Sequence, residues 1–236
     1  MKRRTLLTLA LTTLLTLALT VAVTGGCARP DPTPSPREDR MTSTADQQLL
    51  AAASTGDATG VRTALAAGAD LEARDARRRT ALLLAAANDQ VEAARVLVEA
   101  GADPDALDDQ HDTPWLVTGV TGSVAMLEVL LPAEPDLTIV NRYGGISIIP
   151  ASERGHVDYV RRVVRTGINV NHVNNLGWTA LLECVLLGDG SGAYQQIAEI
   201  LVAAGARVHL PDREGVDALE HARRRGYDEI VTILSR

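Results

Sequence analysis

The sequence predicts an all-α repeat: about six units in series over residues 44–236, each reading as two short helices followed by a turn. Three observations predict it. The chain resembles itself at a spacing of 33 residues, which brings Leu49, Leu82, Trp115, Ile148, Leu181 and, after a final step of 38, Leu219 into register. Within the units, apolar residues recur at helical spacing. The apolar residues, 46% of the chain, are dominated by alanine, leucine and valine, with no phenylalanine. A core of such small side chains needs closely packed elements, which favours helices.

Two segments precede the units. Residues 1–26 open with Lys2, Arg3 and Arg4, continue from Leu6 to Val23 without a charge, and end Thr24-Gly25-Gly26 before Cys27. This is the layout of a signal peptide, and its end resembles the lipobox of bacterial lipoproteins. The resemblance implies cleavage before Cys27 and a diacylglycerol on its thiol; Thr24 departs from the leucine usual there. An ordinary secretory signal or an uncleaved anchor shares the apolar run, although six threonines between Thr5 and Thr20 dilute it for spanning. A start at Met41 would remove it. Two or more acyl chains suffice for stable anchoring. Residues 27–43 carry four prolines and no apolar pattern, which predicts an extended tether reaching at most roughly 50 Å at about 3.1 Å per residue.

Charge and composition exclude several chemistries. The formal charge is −7, and removing the leader's three positive residues leaves −10. Such a balance argues against a nucleic-acid partner, which needs clustered positive charge. Lys2 is the single lysine, so the mature chain has no ammonium for a pyridoxal Schiff base or a Walker loop.

The units follow in order. The first, 44–74, begins with Thr44 and Gln47, which suggest a capping box, and ends at Gly68. In the second, 75–107, Leu82, Leu83, Ala85 and Ala86 make one apolar face and Val91, Ala94, Leu97 and Val98 another. Gly101 then permits a left-handed cap. Thr80-Ala81-Leu82 and Thr113-Pro114-Trp115 match a Thr-Pro-Leu-His helix start, with Leu83 and Leu116 in the histidine position. Gly155-His156 matches an inter-helix turn, and Ala67-Gly68-Ala69-Asp70, Ala100-Gly101-Ala102-Asp103 and Ala204-Gly205-Ala206 match the segment after the second helix. Recurring in phase, these motifs identify the chain as resembling the ankyrin repeat proteins. The resemblance implies a solenoid of helix pairs with fingers at right angles, and a concave face for binding other proteins.

The remaining units depart from the pattern. In 108–140, Leu131-Pro132-Ala133-Glu134-Pro135 lacks the terminal glycine, so a distorted turn is expected. In 141–173, Ile146-Ser147-Ile148 replaces Thr-Pro-Leu and should lose the threonine's local hydrogen bonds. In 174–211, five extra residues after Gly188 suggest that Asp189-Gly190-Ser191-Gly192 is a mobile loop between the helices. In the last, 212–236, Arg223, Arg224 and Arg225 supply a polar outer surface. Stacking neighbours bury what one unit cannot bury alone.

No catalytic residue, metal ligand or cofactor motif is expected. Cys184 lies in phase with Ala85, Thr118, Ala151 and Ala222, which predicts a buried small residue. The five histidines show no ligand spacing. Asp103, Asp105, Asp108 and Asp109 lack the glycine and terminal glutamate of a calcium loop. Gly188 to Gly192 has neither the lysine nor the preceding strand of a phosphate loop.

Protein binding, through finger tips and inner helices, is the function that the resemblance to ankyrin repeat proteins implies. The candidate contact residues are Arg77, Arg79, Asp112, Tyr143, Trp178, Tyr194 and Arg213. Trp178 is either a binding anchor or packed against its neighbours; Tyr194 is expected at the far edge after the insert; Trp115, at the leucine position, belongs to the core. The expectation is a monomer, lipid-anchored on the extracytoplasmic face of the cell membrane and periplasmic if an outer membrane is present. It would bind an exported or membrane protein. An enzyme or a metal or small-molecule binder on the same scaffold remains open, as does a chaperone-like stabiliser of an exported enzyme.

Overall fold

The structure, a computed structural model, describes residues 43–236. The leader, Cys27 and all of the tether except Ser43 lie outside the described residues. Twelve α-helices, and no strand, are found among the described residues. They fall into six pairs: α1 (Thr44–Thr55) and α2 (Ala58–Ala66); α3 (Ala81–Ala87) and α4 (Val91–Glu99); α5 (Pro114–Thr121) and α6 (Val124–Leu130); α7 (Ile148–Glu153) and α8 (Val157–Val163); α9 (Ala180–Leu186) and α10 (Gly192–Ala203); α11 (Ala218–Arg225) and α12 (Asp228–Leu234).

The pairs stack in chain order. Each first helix packs on the next first helix, α1 on α3 through to α9 on α11, and each second helix packs on the next, α2 on α4 through to α10 on α12. The result is two layers with one core between them. Leu49, Leu82, Trp115, Ile148, Leu181 and Leu219 are all buried in it. Sandwiching explains why faces are wider than one apolar stripe. Every residue of α3 from Ala81 to Ala86 is buried, because α1, α4 and α5 all pack against it. In α4 the face extends to Ala93 and Val96.

Helix starts follow from side-chain chemistry. The hydroxyls of Thr80, Thr113 and Thr179 accept from the N–H groups of Leu83, Leu116 and Leu182 at 3.1–3.2 Å, satisfying a donor that the helix leaves unpaired. The first cap differs from the sequence expectation by one residue. It is built from Ser43 and Asp46, not Thr44 and Gln47: the Ser43 hydroxyl accepts from Asp46 N–H at 3.1 Å, and the Asp46 carboxylate accepts from Ser43 N–H at 2.9 Å. The other Asp46 oxygen accepts from Asp70 N–H at 2.7 Å, so this acid serves both the cap and the segment after α2.

The departures also have local causes. Glu134 adopts φ 52° and ψ 54° after the 3-10 turn Leu131–Ala133, the left-handed state that Gly68, Gly101, Gly167 and Gly205 hold in phase. Ser147 makes no capping bond and is already helical, at φ −55° and ψ −31°. Its carbonyl approaches Gly119 of α5 so closely that a Cβ there would lie 1.9 Å from the oxygen. The insert does not form a free loop. Gly192 starts α10, which is 12 residues long, so part of the insertion lengthens the second helix. The remaining loop is pinned: Gly188 C=O accepts from the Tyr227 hydroxyl at 3.0 Å and the Arg225 guanidinium at 3.2 Å, and Leu186 C=O accepts from Arg225 at 2.9 Å.

Candidate functional site

Each finger is a five-residue turn built on one side-chain acceptor. Asp75, Asp108, Asn141, Asn174 and Asp212 begin the five fingers. In each, Oδ1 accepts from the N–H groups two and four residues on, for example Tyr143 at 2.9 Å and Gly145 at 3.0 Å on Asn141, and Leu176 and Trp178 at 3.0 Å on Asn174. The residue's own N–H donates to the carbonyl four residues on, closing the loop at 2.9–3.0 Å. Only one oxygen is needed, so Asp and Asn interchange. Adjacent fingers are tied as well: Asp109 N–H donates to Arg77 C=O, and Asn175 N–H to Tyr143 C=O.

Where the fingers 141–145 and 174–178 meet α5, α7 and α9, a cleft of about 450 Å³ opens. Glu183 of α9 and Glu153 of α7 line it, with Asn174 beside them and Arg142 and Arg154 also present. Glu183 is 6% exposed, and its Oε1 accepts from Asn174 Nδ2 at 2.7 Å. Burial, reinforced by the charge of Glu153, raises its carboxyl to about 7, against the bond from Asn174. The apolar parts of the cleft are Tyr143, 55% exposed, Leu176, 50% exposed, and the exposed Val120 and Leu187. Exposed apolar side chains gathered at one groove are a mark of an interaction site.

The candidate contact residues are dispersed along the fingers, except Tyr194 in α10, and two of them line this cleft: Asp112 and Tyr143. Asp112 faces Arg142 at 3.8 Å, and the Arg142 guanidinium lies 4.5 Å from the Tyr143 ring centroid. Arg77 is exposed, whereas Arg79 is held by Asp75 at 2.7 Å. Arg213 donates to Asn175 C=O, and its side chain lies over Gly177. Trp178 is partly buried and packs against the core. Tyr194 is half-buried, its hydroxyl donating to Glu153 C=O at 2.9 Å, and its ring covers Gly188. It thus supports the pinned loop and the cleft-lining helix α7.

Sequence reasoning missed Glu183, Glu153 and Asn174. A signal existed for the first: Glu183 is in phase with Leu84, Val117 and Pro150, so an acid stands where the preceding units carry apolar residues, while the last unit carries His221 there. Cys184, next to it, is fully buried; burial pushes its thiol up to about 12, and Sγ lies 3.3 Å from Tyr194 C=O. A thiol so placed is inert as a nucleophile. The cleft lining contains neither histidine nor cysteine.

Stacked helix pairs, threonine-capped first helices and Asx-closed fingers define the ankyrin repeat proteins, and this chain belongs to that family. The model for ankyrin repeats (3 copies) matches residues 48–141. The ankyrin repeat protein YahD of Escherichia coli (strain K12) is 40% identical over 186 residues, 78% of this chain and 92% of YahD. The crystal structure of an ankyrin repeat domain from Acinetobacter baumannii AYE is 46% identical, with a TM-score of 0.76, over 79% of this chain and 95% of that one. The ankyrin repeat protein EF0377 is 34% identical, with a TM-score of 0.77, over 81% of this chain and 98% of that one. Ankyrin repeat domains are in general protein–protein interaction modules and typically not enzymes.

Proposed function

We propose that the protein is a lipid-anchored, extracytoplasmic, monomeric module that binds an exported or membrane protein through its fingers and inner helices. The observation that carries the binding role is the cleft between fingers 141–145 and 174–178, where Tyr143, Leu176, Val120 and Leu187 expose apolar surface around a polar floor. The anchoring half rests on the sequence: a basic start, an uncharged run and small residues before Cys27. A tether at the membrane raises the effective concentration of such a module for membrane partners.

A photo-crosslinking residue placed at Tyr143 in cells, followed by mass spectrometry, tests the face. Capture from Tyr143 and none from the exposed Glu199 of α10 is expected; the reverse pattern overturns the assignment. Cys27→Ala should release the protein from membranes, and membrane retention of that variant would refute the lipid anchor.

A further inference from the structure

The cleft has an acidic floor and an apolar rim. Of its three carboxylates, Asp112 already faces Arg142, and Arg142 is further committed to the Tyr143 ring. Arg154 is exposed and forms no ion pair with the carboxylates of the described residues. Glu183 is different. It is the most deeply buried of these charged groups, its Oε1 is bonded to Asn174, and Oε2 has no hydrogen-bond partner among the described residues. Glu153, close enough to disfavour the Glu183 charge, adds a second carboxylate on the adjacent helix. Two acids brought together in a partly dry site repel one another unless one is protonated or a cation joins them.

Resting on the protein-binding reading above, we propose that the cleft receives a lysine or arginine side chain carried by an apolar segment of the partner. The basic group pairs with Glu183 Oε2, flanked by Glu153, while apolar neighbours of that residue cover Tyr143, Leu176, Val120 and Leu187. The fit is one of charge and size. A cleft of about 450 Å³ accommodates one long basic side chain and part of its neighbours. Asn174 holds Glu183 in place by its single bond, and the finger that carries Asn174 is itself closed by that residue's Oδ1. The carboxylate is therefore fixed before a ligand arrives, which reduces the ordering cost of binding. Arg142 and Arg154 at the cleft oppose a second cation, so the site selects one basic residue rather than a basic run.

The test is selection of random twelve-residue peptides on the immobilised full chain. Binders are expected to carry one Lys or Arg flanked by apolar residues. Glu183→Gln should weaken such a peptide at least tenfold, as should replacing its basic residue by norleucine, and the two changes together should cost little more than either alone. Tyr143→Ala with Leu176→Ala, both at exposed positions, should also abolish binding. Peptides that lose binding in the Tyr143/Leu176 variant but lack a basic residue, or ignore Glu183→Gln, overturn the cation pairing and leave the binding face standing. Peptides indifferent to the Tyr143/Leu176 variant, or no binders at all, overturn both.

Discussion

Replacing Glu183 by glutamine should make the folded protein more stable above neutral pH. Glu183 is nearly excluded from solvent, and its carboxyl is raised from 4.5 to about 7, chiefly by burial and secondly by Glu153. A raised carboxyl means that the folded chain binds this proton more tightly than the unfolded chain. Stability from this group is therefore fully present below about pH 4.5, falls as pH rises through the window to about 7, and stays lost above it. The gap between 4.5 and about 7 corresponds to about 3 kcal/mol. Glutamine has the same shape, keeps an oxygen for Asn174 Nδ2, and carries no charge. Glu183→Gln should thus match the wild type near pH 4 within about 1 kcal/mol and exceed it at pH 8 by about 3 kcal/mol. With a urea slope of roughly 1–3 kcal/mol/M, the midpoint at pH 8 moves up by about 1–3 M. Urea unfolding of both proteins at several pH values checks it, and the difference between them reports Glu183 together with its coupling to Glu153. A variant no more stable than wild type at pH 8, or a difference that does not change with pH, would refute the reasoning. Cost at a binding group is expected where a charge is held ready for a partner.

Other positions test the stack itself. Gly119→Ala gains about 1 kcal/mol of helix propensity, but its Cβ meets the Ser147 carbonyl at 1.9 Å; separating α5 from α7 costs about 1–3 kcal/mol, so a lower thermal midpoint is expected and a higher one would disprove the close approach. Glu134→Gly relieves a left-handed residue, which should raise stability by up to about 1 kcal/mol; a loss in urea unfolding would count against that strain. Arg225→Ala combined with Tyr227→Phe removes the bonds to Leu186 and Gly188, at about 1 kcal/mol each. Amide exchange in residues 187–191 should then quicken at least tenfold, and unchanged exchange would show that the loop is held by something else.

The stacking order was legible because it is a property of the period. Leucines at 33-residue intervals must share one side of every helix pair, and a pair cannot bury that side alone, so Leu49, Leu82 and their successors form one spine. The glycine positions were legible for the same reason, including Glu134 standing in for one of them. Local caps were only partly readable. Thr80, Thr113 and Thr179 follow the motif, but the first cap uses Ser43 and Asp46, because Asp46 also ties down Asp70 and a short-range pattern does not contain that second demand. The segment Asp189-Gly190-Ser191-Gly192 looked mobile from its glycines; Gly192 instead starts α10, and the loop before it is held at Gly188 by Arg225 and Tyr227, from the next unit.

The sequence by itself determined the repeat, its register and the buried identity of Cys184 and Trp115, since these depend on periodic placement of apolar residues along one chain. Only the tertiary structure decided where a binding cleft lies. Glu183 and Asn174 are nine residues apart, on a helix and in a finger, and Glu153 joins them from the preceding unit. Their shared environment comes from the packing of α7 against α9 and the projection of two fingers over them. Burial and field at one carboxylate are sums over neighbours in space, which a repeat period does not specify.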